Sequence, residues 1–297
     1  MLEYGCLLPQ EADMEIQAGT LYIVGTPIGN LEDMTFRAID TLRQVDLIAA
    51  EDTRHTGKLL QHFQITTPQI SYHDHNRRSR LPELLQRLQQ KRSIALVTDA
   101  GMPGISDPGS ELVQACVEAG IPVVPIPGAS AVTTALSAAG LSIERFVFEG
   151  FLPTKGQDRQ ERLEHLRTEP RTIVVYEAPH RLRQTLHDLI AVMGTERSIV
   201  LARELTKLHE QFWRGTLAEA VAYHQTREPQ GEFTLVLAGY QAAQPQLSES
   251  ALLAELQQLI QQGVSRSQAS RQLAQQTSLS RRQIYQLALT IPEVESD

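Results

Sequence analysis

SIALVTDAGMPGISDPGSELVQACVEAG, residues 93–120, is the stretch on which the fold turns. An apolar run, SIALVT, leads into a loop. SELVQACVEAG follows, with apolar residues at helical spacing and a stop at Gly120. The unit is strand, loop, helix. From Thr98 to Gly109, five of twelve residues are Gly or Pro, two are Asp, and none is Lys or Arg. A glycine-rich turn between strand and helix suggests a phosphate cradle. The Walker-type pattern, with its phosphate-facing Lys after the last glycine, is nevertheless absent. GTPIGN, residues 25–30, follows another apolar run and has too few glycines for a dinucleotide fingerprint. Both loops bring backbone close to a ligand, and neither is built for a polyphosphate. Read without a ligand, they are structural left-handed turns.

The same alternation extends outward. LYIVG (21–25), DLIAAE (46–51), IPVVPIP (121–127), TIVVYE (172–177), SIVLARE (198–204) and GEFTLVLAGY (231–240) read as strands. MTFRAIDTLRQV, DTRHTGKLLQHF, RRSRLPELLQRLQQ (77–90) and PHRLRQTLHDLIAVM read as helices. HEQFWRGTL looks extended. The pattern predicts an α/β protein with parallel or mostly parallel sheets. FVFEGFLPTKGQ (146–157) reads as a strand running into a linker, which places a boundary there. The expected organisation is an N-terminal extension over 1–19, an α/β domain over 20–150 and a second over 151–241. A helical tail over 246–297, resembling a helix-turn-helix, completes it. The tail carries capping-box pairs, Ser265 with Gln268 and Ser280 with Gln283, and its charged residues from Gly263 to Thr290 are all Arg.

With 297 residues, 41% hydrophobic, the chain can bury real cores. No apolar run approaches a membrane span, and the acidic start does not read as a signal peptide. Two cysteines, Cys6 and Cys116, make neither a disulfide framework nor a metal cluster, which suits a reducing cytoplasm. HDHN (73–76) lacks a third ligand at helical spacing, so no metal is expected. A net charge of −8 does not advertise nucleic-acid binding, so a nucleic-acid partner would need a local basic patch. The Arg-rich run 77–92 is one candidate, with a solvated helix face as the plainer reading.

S-adenosylmethionine is a ligand of the kind the two loops suit, because it carries a sulfonium, an ammonium and a carboxylate but no phosphate. Asp99 and Asp107 either hold the turn or face that positive charge. PGASAVTTA (127–135) offers Ser130 as a helix cap or, with Ala131, as backbone for the ligand. Polar clusters at strand ends, EDTRHTGKLL (51–60), YEAPHR (176–181) and ARELTKLHEQ (202–211), suggest a shared cleft.

These motifs occur in one order: LYIVGTPIGNLEDMTFRA, EDTRHTGKLL, TDAGMPGISDPG, PIPGASA, GFLPTKG, YEAPHR, ARELTK and GEFTLVL. Together they resemble the ribosomal RNA small subunit methyltransferase I family of the tetrapyrrole-methylase superfamily, over roughly residues 20–240. The resemblance implies two α/β domains with S-adenosylmethionine in the cleft between them. It implies 2′-O-methylation of a cytidine in the decoding region of 16S ribosomal RNA, within the small subunit, by a cytoplasmic homodimer. By position it implies cofactor contacts from Pro27, Asp99, Ala100, Gly101, Met102, Ile105, Ser130, Ala131, Tyr176, Leu205 and Phe233. The ribose hydroxyl that it implies must lose its proton to a carboxylate or a Lys of depressed pKa, and Asp52, Glu177 and Lys207 are the candidates that such a cleft brings together. The family loop commonly reads DAGTPLISDPG, so Met102 and Gly104 are departures. A tetrapyrrole methyltransferase of the same superfamily and a ligand-sensing DNA-binding regulator are the competing readings.

Overall fold

The structure is a computed structural model that describes residues 15–241, 248–277 and 279–291. Most of the expected N-terminal extension and of the polar linker before the tail lies outside these residues. The chain forms two compact units, residues 1–239 and 240–297.

The larger unit opens with β1 (Leu21–Val24), α1 (Phe36–Gln44), β2 (Leu47–Ala50), α2 (Thr53–His62) and β3 (Gln69–Ser71). It continues through α3 (Arg77–Gln89), β4 (Ile94–Val97), α4 (Ser110–Glu118), β5 (Val123–Ile126) and α5 (Ala131–Ala139). The five strands make one parallel sheet in the order β3-β2-β4-β1-β5. Side chains alternate between its faces. Tyr22, Val24, Ala95 and Val97 pack with α1 and α2, whereas Leu21, Ile23, Ile94 and Leu96 pack with α3 and α4. Burial on both faces explains why these strands read as unbroken apolar runs.

The second half runs β6 (Phe146–Phe151), α6 (Gln157–Arg167), β7 (Thr172–Glu177), α7 (Pro179–Met193) and β8 (Ser198–Arg203). β9 (Gln211–Thr216), α8 (Leu217–Gln225) and β10 (Phe233–Leu237) complete it. Its sheet has the order β6-β7-β10-β8-β9. The expectation of mostly parallel pairing fails here. Only β6 and β7 are parallel, while β10 runs antiparallel to both β7 and β8, and β9 antiparallel to β8. The β8–β9 connection has no room for a crossover helix, so the chain must turn back as a hairpin. Beyond the expected strand and linker, 146–157, the chain forms α6, which the sequence reading did not expect, because its near-continuous charge, QDRQERLEHLR, hides it from a periodicity reading.

One face of this sheet is covered by α6, α7 and α8 through Leu163, Leu182, Leu186 and Leu217. The other is covered by α5, a helix of the first half: Val132, Ala135 and Leu136 pack against Val174, Val200 and Val236. That shared core draws both sheets into one compact unit.

In the tail, α9 (Glu249–Gln261), α10 (Arg266–Gln276) and α11 (Arg281–Leu289) bury Leu252, Leu256, Ala269, Leu273, Ile284 and Ala288. Ser280 and Gln283 form a reciprocal capping box, and the Ser265 hydroxyl accepts from the Gln268 amide.

Candidate active site

Three loops leave the C-terminal ends of β1, β4 and β5, where an open α/β sheet presents ligands. They are tied to each other by backbone. The Thr26 amide donates to the Gly101 carbonyl at 2.9 Å and the Gly101 amide returns the bond at 3.1 Å. The Thr26 hydroxyl donates to the Thr98 carbonyl at 3.0 Å. Gly25 and Gly128 touch through their main chains: a Cβ on Gly128 would lie 2.9 Å from Gly25 Cα, C and O. The 98–109 loop is wound through left-handed conformations at Gly101, Gly104 and Ser106, with φ of +84°, +81° and +63°. Gly104 is therefore a residue this winding favours, where a leucine would be strained.

These loops, the ends of β7, β8 and β10, and Phe151 enclose a cavity of about 500 Å³. Of the residues expected to contact cofactor, Ala100, Gly101, Met102, Ile105, Ser130, Ala131, Tyr176, Leu205 and Phe233 line it. Ser130 holds the N-cap position of α5 without its hydroxyl making a cap bond. Phe148 and Phe151 pack edge-on against Tyr176, with ring centroids 4.9 and 5.6 Å away. Pro27 and Asp99 instead line a neighbouring cavity of about 280 Å³ with His55 and Lys58. The sequence reading placed His180 at the mouth of the second sheet, where it does line the larger cavity, but it did not single out Phe151, Ser106 or Thr234, which line it too. All three lie inside quoted motifs, GFLPTKG, TDAGMPGISDPG and GEFTLVL, but only the tertiary fold brings them to one cavity.

The larger cavity's lining includes Asp107, Glu177 and Glu232 but no Lys or Arg. Burial first, and then the negative charge of Glu51, push the Asp107 carboxyl up to about 7. Burial, followed by the charge of Asp107, pushes the Tyr176 phenol up to about 12. The strand ends of β2 and β4 are cross-tied nearby: the Asp99 amide donates to Glu51 Oε2 at 3.2 Å and the Asp52 amide to Asp99 Oδ1 at 3.3 Å.

The three candidate proton acceptors are each engaged elsewhere. Asp52 caps α2 and holds Arg54 through both carboxylate oxygens, which keeps its carboxyl far below the usual range. Lys207 donates to Glu204 Oε1 and Glu232 Oε2, both at 2.9 Å. Burial disfavours its charge, but the two carboxylates outweigh that and raise its pKa. The Glu177 side chain is fully buried and bonded to the Ala178 amide, Thr185 and Arg181. In the Arg-rich run, Arg77, Arg80, Arg87 and Arg92 all pair with carboxylates, as a solvated face does.

The pattern of the family Tetrapyrrole (Corrin/Porphyrin) Methylases matches residues 20–221. A Synechocystis protein named ribosomal RNA small subunit methyltransferase I is 63% identical over 280 residues, covering 94% of this chain and 99% of its own. The protein of that name from Escherichia coli O157:H7 is 49% identical over 247 residues, 82% of this chain and 86% of its own. The chain belongs to the ribosomal RNA small subunit methyltransferase I family. Among solved structures, diphthine synthase covers 74% of this chain and 90% of its own at a TM-score of 0.60 and 16% identity. A Thermus thermophilus uroporphyrin-III C-methyl transferase complexed with S-adenyl homocysteine covers 74% and 97% at 0.54 and 18% identity. At that identity these two structures show that this chain shares their fold.

Proposed function

We propose that this chain transfers a methyl group from S-adenosylmethionine to the ribose 2′-hydroxyl of a cytidine in the decoding region of 16S ribosomal RNA. The observation that carries the reading is the cavity's composition: acidic and aromatic side chains, close-approaching backbone and no Lys or Arg. That set fits a cationic adenosine compound and would repel a polyphosphate. Tyr176, Phe151 and Phe233 offer apolar area to an adenine. The α5 N-terminus at Ser130 and Ala131 offers backbone amides to a carboxylate. The relatives' names support ribosomal RNA of the small subunit as the acceptor. The family resemblance supports a cytoplasmic homodimer, and no described helix is long and apolar enough to cross a membrane.

Bound S-adenosylmethionine supplies a methyl group on a good leaving group. The protein's work is then positioning and proton removal. Asp52, Glu177 and Lys207 remain to be tested by alanine substitution at saturating cofactor. Asp107 is better suited to accept the proton, since it lines the cavity and ionises near neutrality.

Incubation with labelled S-adenosylmethionine and small ribosomal subunits, followed by mass spectrometry of the digested RNA, tests the assignment. Label on a cytidine ribose is the expected product. In a parallel incubation with an added porphyrinoid, label transferred only to that compound would favour the tetrapyrrole reading, and no transfer to either acceptor the regulator.

The tail supplies a basic surface in an acidic chain. Arg271 and Arg282 are exposed, and no Asp or Glu occurs from Gly263 to Ile291. Replacing both with Ala is expected to weaken subunit binding and to lower the log-salt slope by about 1–2. Cofactor affinity should not change. An unaltered salt slope would remove the tail from the RNA footprint.

A further inference from the structure

Beneath the cavity lies a chain of buried polar groups that methyl transfer itself does not require. Glu177, at the end of β7, is bonded through Oε1 to the Ala178 amide at 2.9 Å and pairs with Arg181 Nε at 3.2 Å. Its other oxygen accepts from the Thr185 hydroxyl. That hydroxyl in turn accepts from Arg159 Nη2 at 2.9 Å, so it both donates and accepts within the chain. Arg159, 7% exposed, pairs with Asp188 at 2.7 Å.

The two guanidinium groups have a second set of partners. Arg181 Nη2 donates to the Leu152 carbonyl at 2.6 Å, and Arg159 Nη1 to the Pro153 carbonyl at 2.8 Å. One Arg comes from α7 and the other from α6, and they hold two successive carbonyls just beyond β6. Phe151, the last residue of β6, is 53% exposed and forms a wall of the cavity against Tyr176. The strand is irregular here. Its register against β7 shifts between Phe148 and Phe151, and Gly150 sits at φ +62° with no room for a Cβ beside Ser106 Oγ. The bulge interrupts the ladder at Glu149 and Gly150, and pairing resumes only at Phe151↔Tyr176, so the strand end is held by little of the sheet and gains from other anchors. The arginines provide them.

We propose that Glu177, Arg181, Thr185, Arg159 and Asp188 form a positioning network that fixes the Phe151 wall of the donor cavity through the Leu152 and Pro153 carbonyls. Glu177 is then a positioning residue and not the proton acceptor. Both of its oxygens are engaged by the protein and its side chain is shut off from solvent, which leaves it badly placed to take a proton from an acceptor hydroxyl. Removing Arg181, Thr185, Arg159 or Asp188 leaves a partner unsatisfied, so the strand end shifts although no cavity-lining residue has changed.

This inference rests on reading the cavity as the donor site, and calorimetric titration of the full chain with S-adenosylmethionine tests both. Thr185→Val keeps the shape and removes the shared hydroxyl. It is expected to weaken binding about fivefold, the loss of roughly one buried hydrogen bond. Thr185→Ser is expected to restore it to within about twofold. Phe151→Ala should weaken binding as well, and combining it with Thr185→Val should add little, because the hydroxyl acts through that ring. Asp188→Asn, at the more exposed end of the network, is a milder probe that applies even where Thr185→Val does not fold, with an expected loss of about twofold. Glu177→Gln should weaken cofactor binding while turnover at saturating cofactor falls only a few-fold. A parent chain that binds no S-adenosylmethionine would overturn the donor reading and the network with it. A parent that binds, with Thr185→Val and Asp188→Asn as tight as the parent, overturns the network alone. So does a Glu177→Gln variant with intact cofactor affinity and turnover reduced about a hundredfold, the loss expected of a missing general base.

Discussion

Gly128→Ala is expected to cost the protein about 3 kcal/mol, near the upper end for overpacking, and most of its cofactor affinity. The added Cβ would lie 2.9 Å from three main-chain atoms of Gly25. The reverse change is no easier, since a Cβ on Gly25 would sit 2.8 Å from Gly128 N and Cα and 2.7 Å from Met102 Sδ. Backbone cannot rotate away as a side-chain tip does. The two loops must separate, although β1 and β5 are paired strands in register from Leu21↔Val123 to Val24↔Ile126. Separation carries Ser130 and Ala131 away from the Thr98–Gly109 loop, across the site where the ligand is to be held. A misplacement of that size costs on the order of a hundredfold in a positioned reaction. In a unit of this size, the stability loss corresponds to roughly 6–12 °C in Tm. Gly57→Ala makes a fair control. Gly57 lies within α2, the nearest atom to its Cβ is the Gln69 side-chain amide at 3.3 Å, and an alanine there is worth up to about 1 kcal/mol of helix propensity. Thermal melts and cofactor titrations of the two variants side by side decide the matter. A Gly128→Ala protein with parental Tm and affinity would mean that the glycine contact is incidental.

That pair of glycines shows how much of the site the sequence displays. A glycine-rich loop after a strand is visible in GTPIGN, TDAGMPG and PIPGAS, and the absence of a cation beside them already excludes a phosphate cradle. The loops do meet at one cavity. What the sequence does not display is which glycine faces which, because Gly25 and Gly128 are brought together by strand order, with β5 laid beside β1. The same cause hides the mixed pairing of the second sheet. β10 looks like any apolar strand, and nothing in FTLVL states that it enters between β7 and β8 and runs against both. α5 is a related case. Its small apolar residues read as a helix of the first half, which it is by sequence, yet its core partners are Val174, Val200 and Val236 of the second. Charged residues mislead for a different reason. Glu177 and Lys207 stand at strand ends, where reactive groups are found, but their side chains are consumed by Thr185 and Arg181 in one case and by Glu204 and Glu232 in the other. Local sequence fixes a residue's type and element, and only the tertiary neighbours decide whether its charge is free to react.

Asp107 is the group in the cavity for which those neighbours have the opposite effect, and its pH dependence is the sharpest test of the proposed chemistry. At saturating S-adenosylmethionine, turnover is expected to rise about tenfold per pH unit on the acid side and to level off above about 7, because only the ionised carboxylate can accept a proton. Stability should run the other way. The folded-state pKa lies above the ordinary carboxylate value. The favourable contribution of the protonated form is therefore complete below that ordinary value and is lost as pH rises through about 7. Asp107→Asn imitates the protonated form at every pH. It should match the parent's stability near pH 4 and exceed it at pH 8 by about 1–2 kcal/mol, a figure discounted for the carboxyl's partial exposure. Turnover in the variant should fall about a hundredfold and lose its acid limb. The two readouts separate the roles that a carboxylate in this position can play. A purely structural Asp107 would give the crossing of stabilities with turnover unchanged. A carboxylate that only attracts the cationic donor would give weaker cofactor binding with turnover preserved at saturation. The proton-acceptor assignment requires the stability gain at pH 8 together with the collapse of turnover, and a variant that turns over at the parental rate with the parental pH profile would refute it.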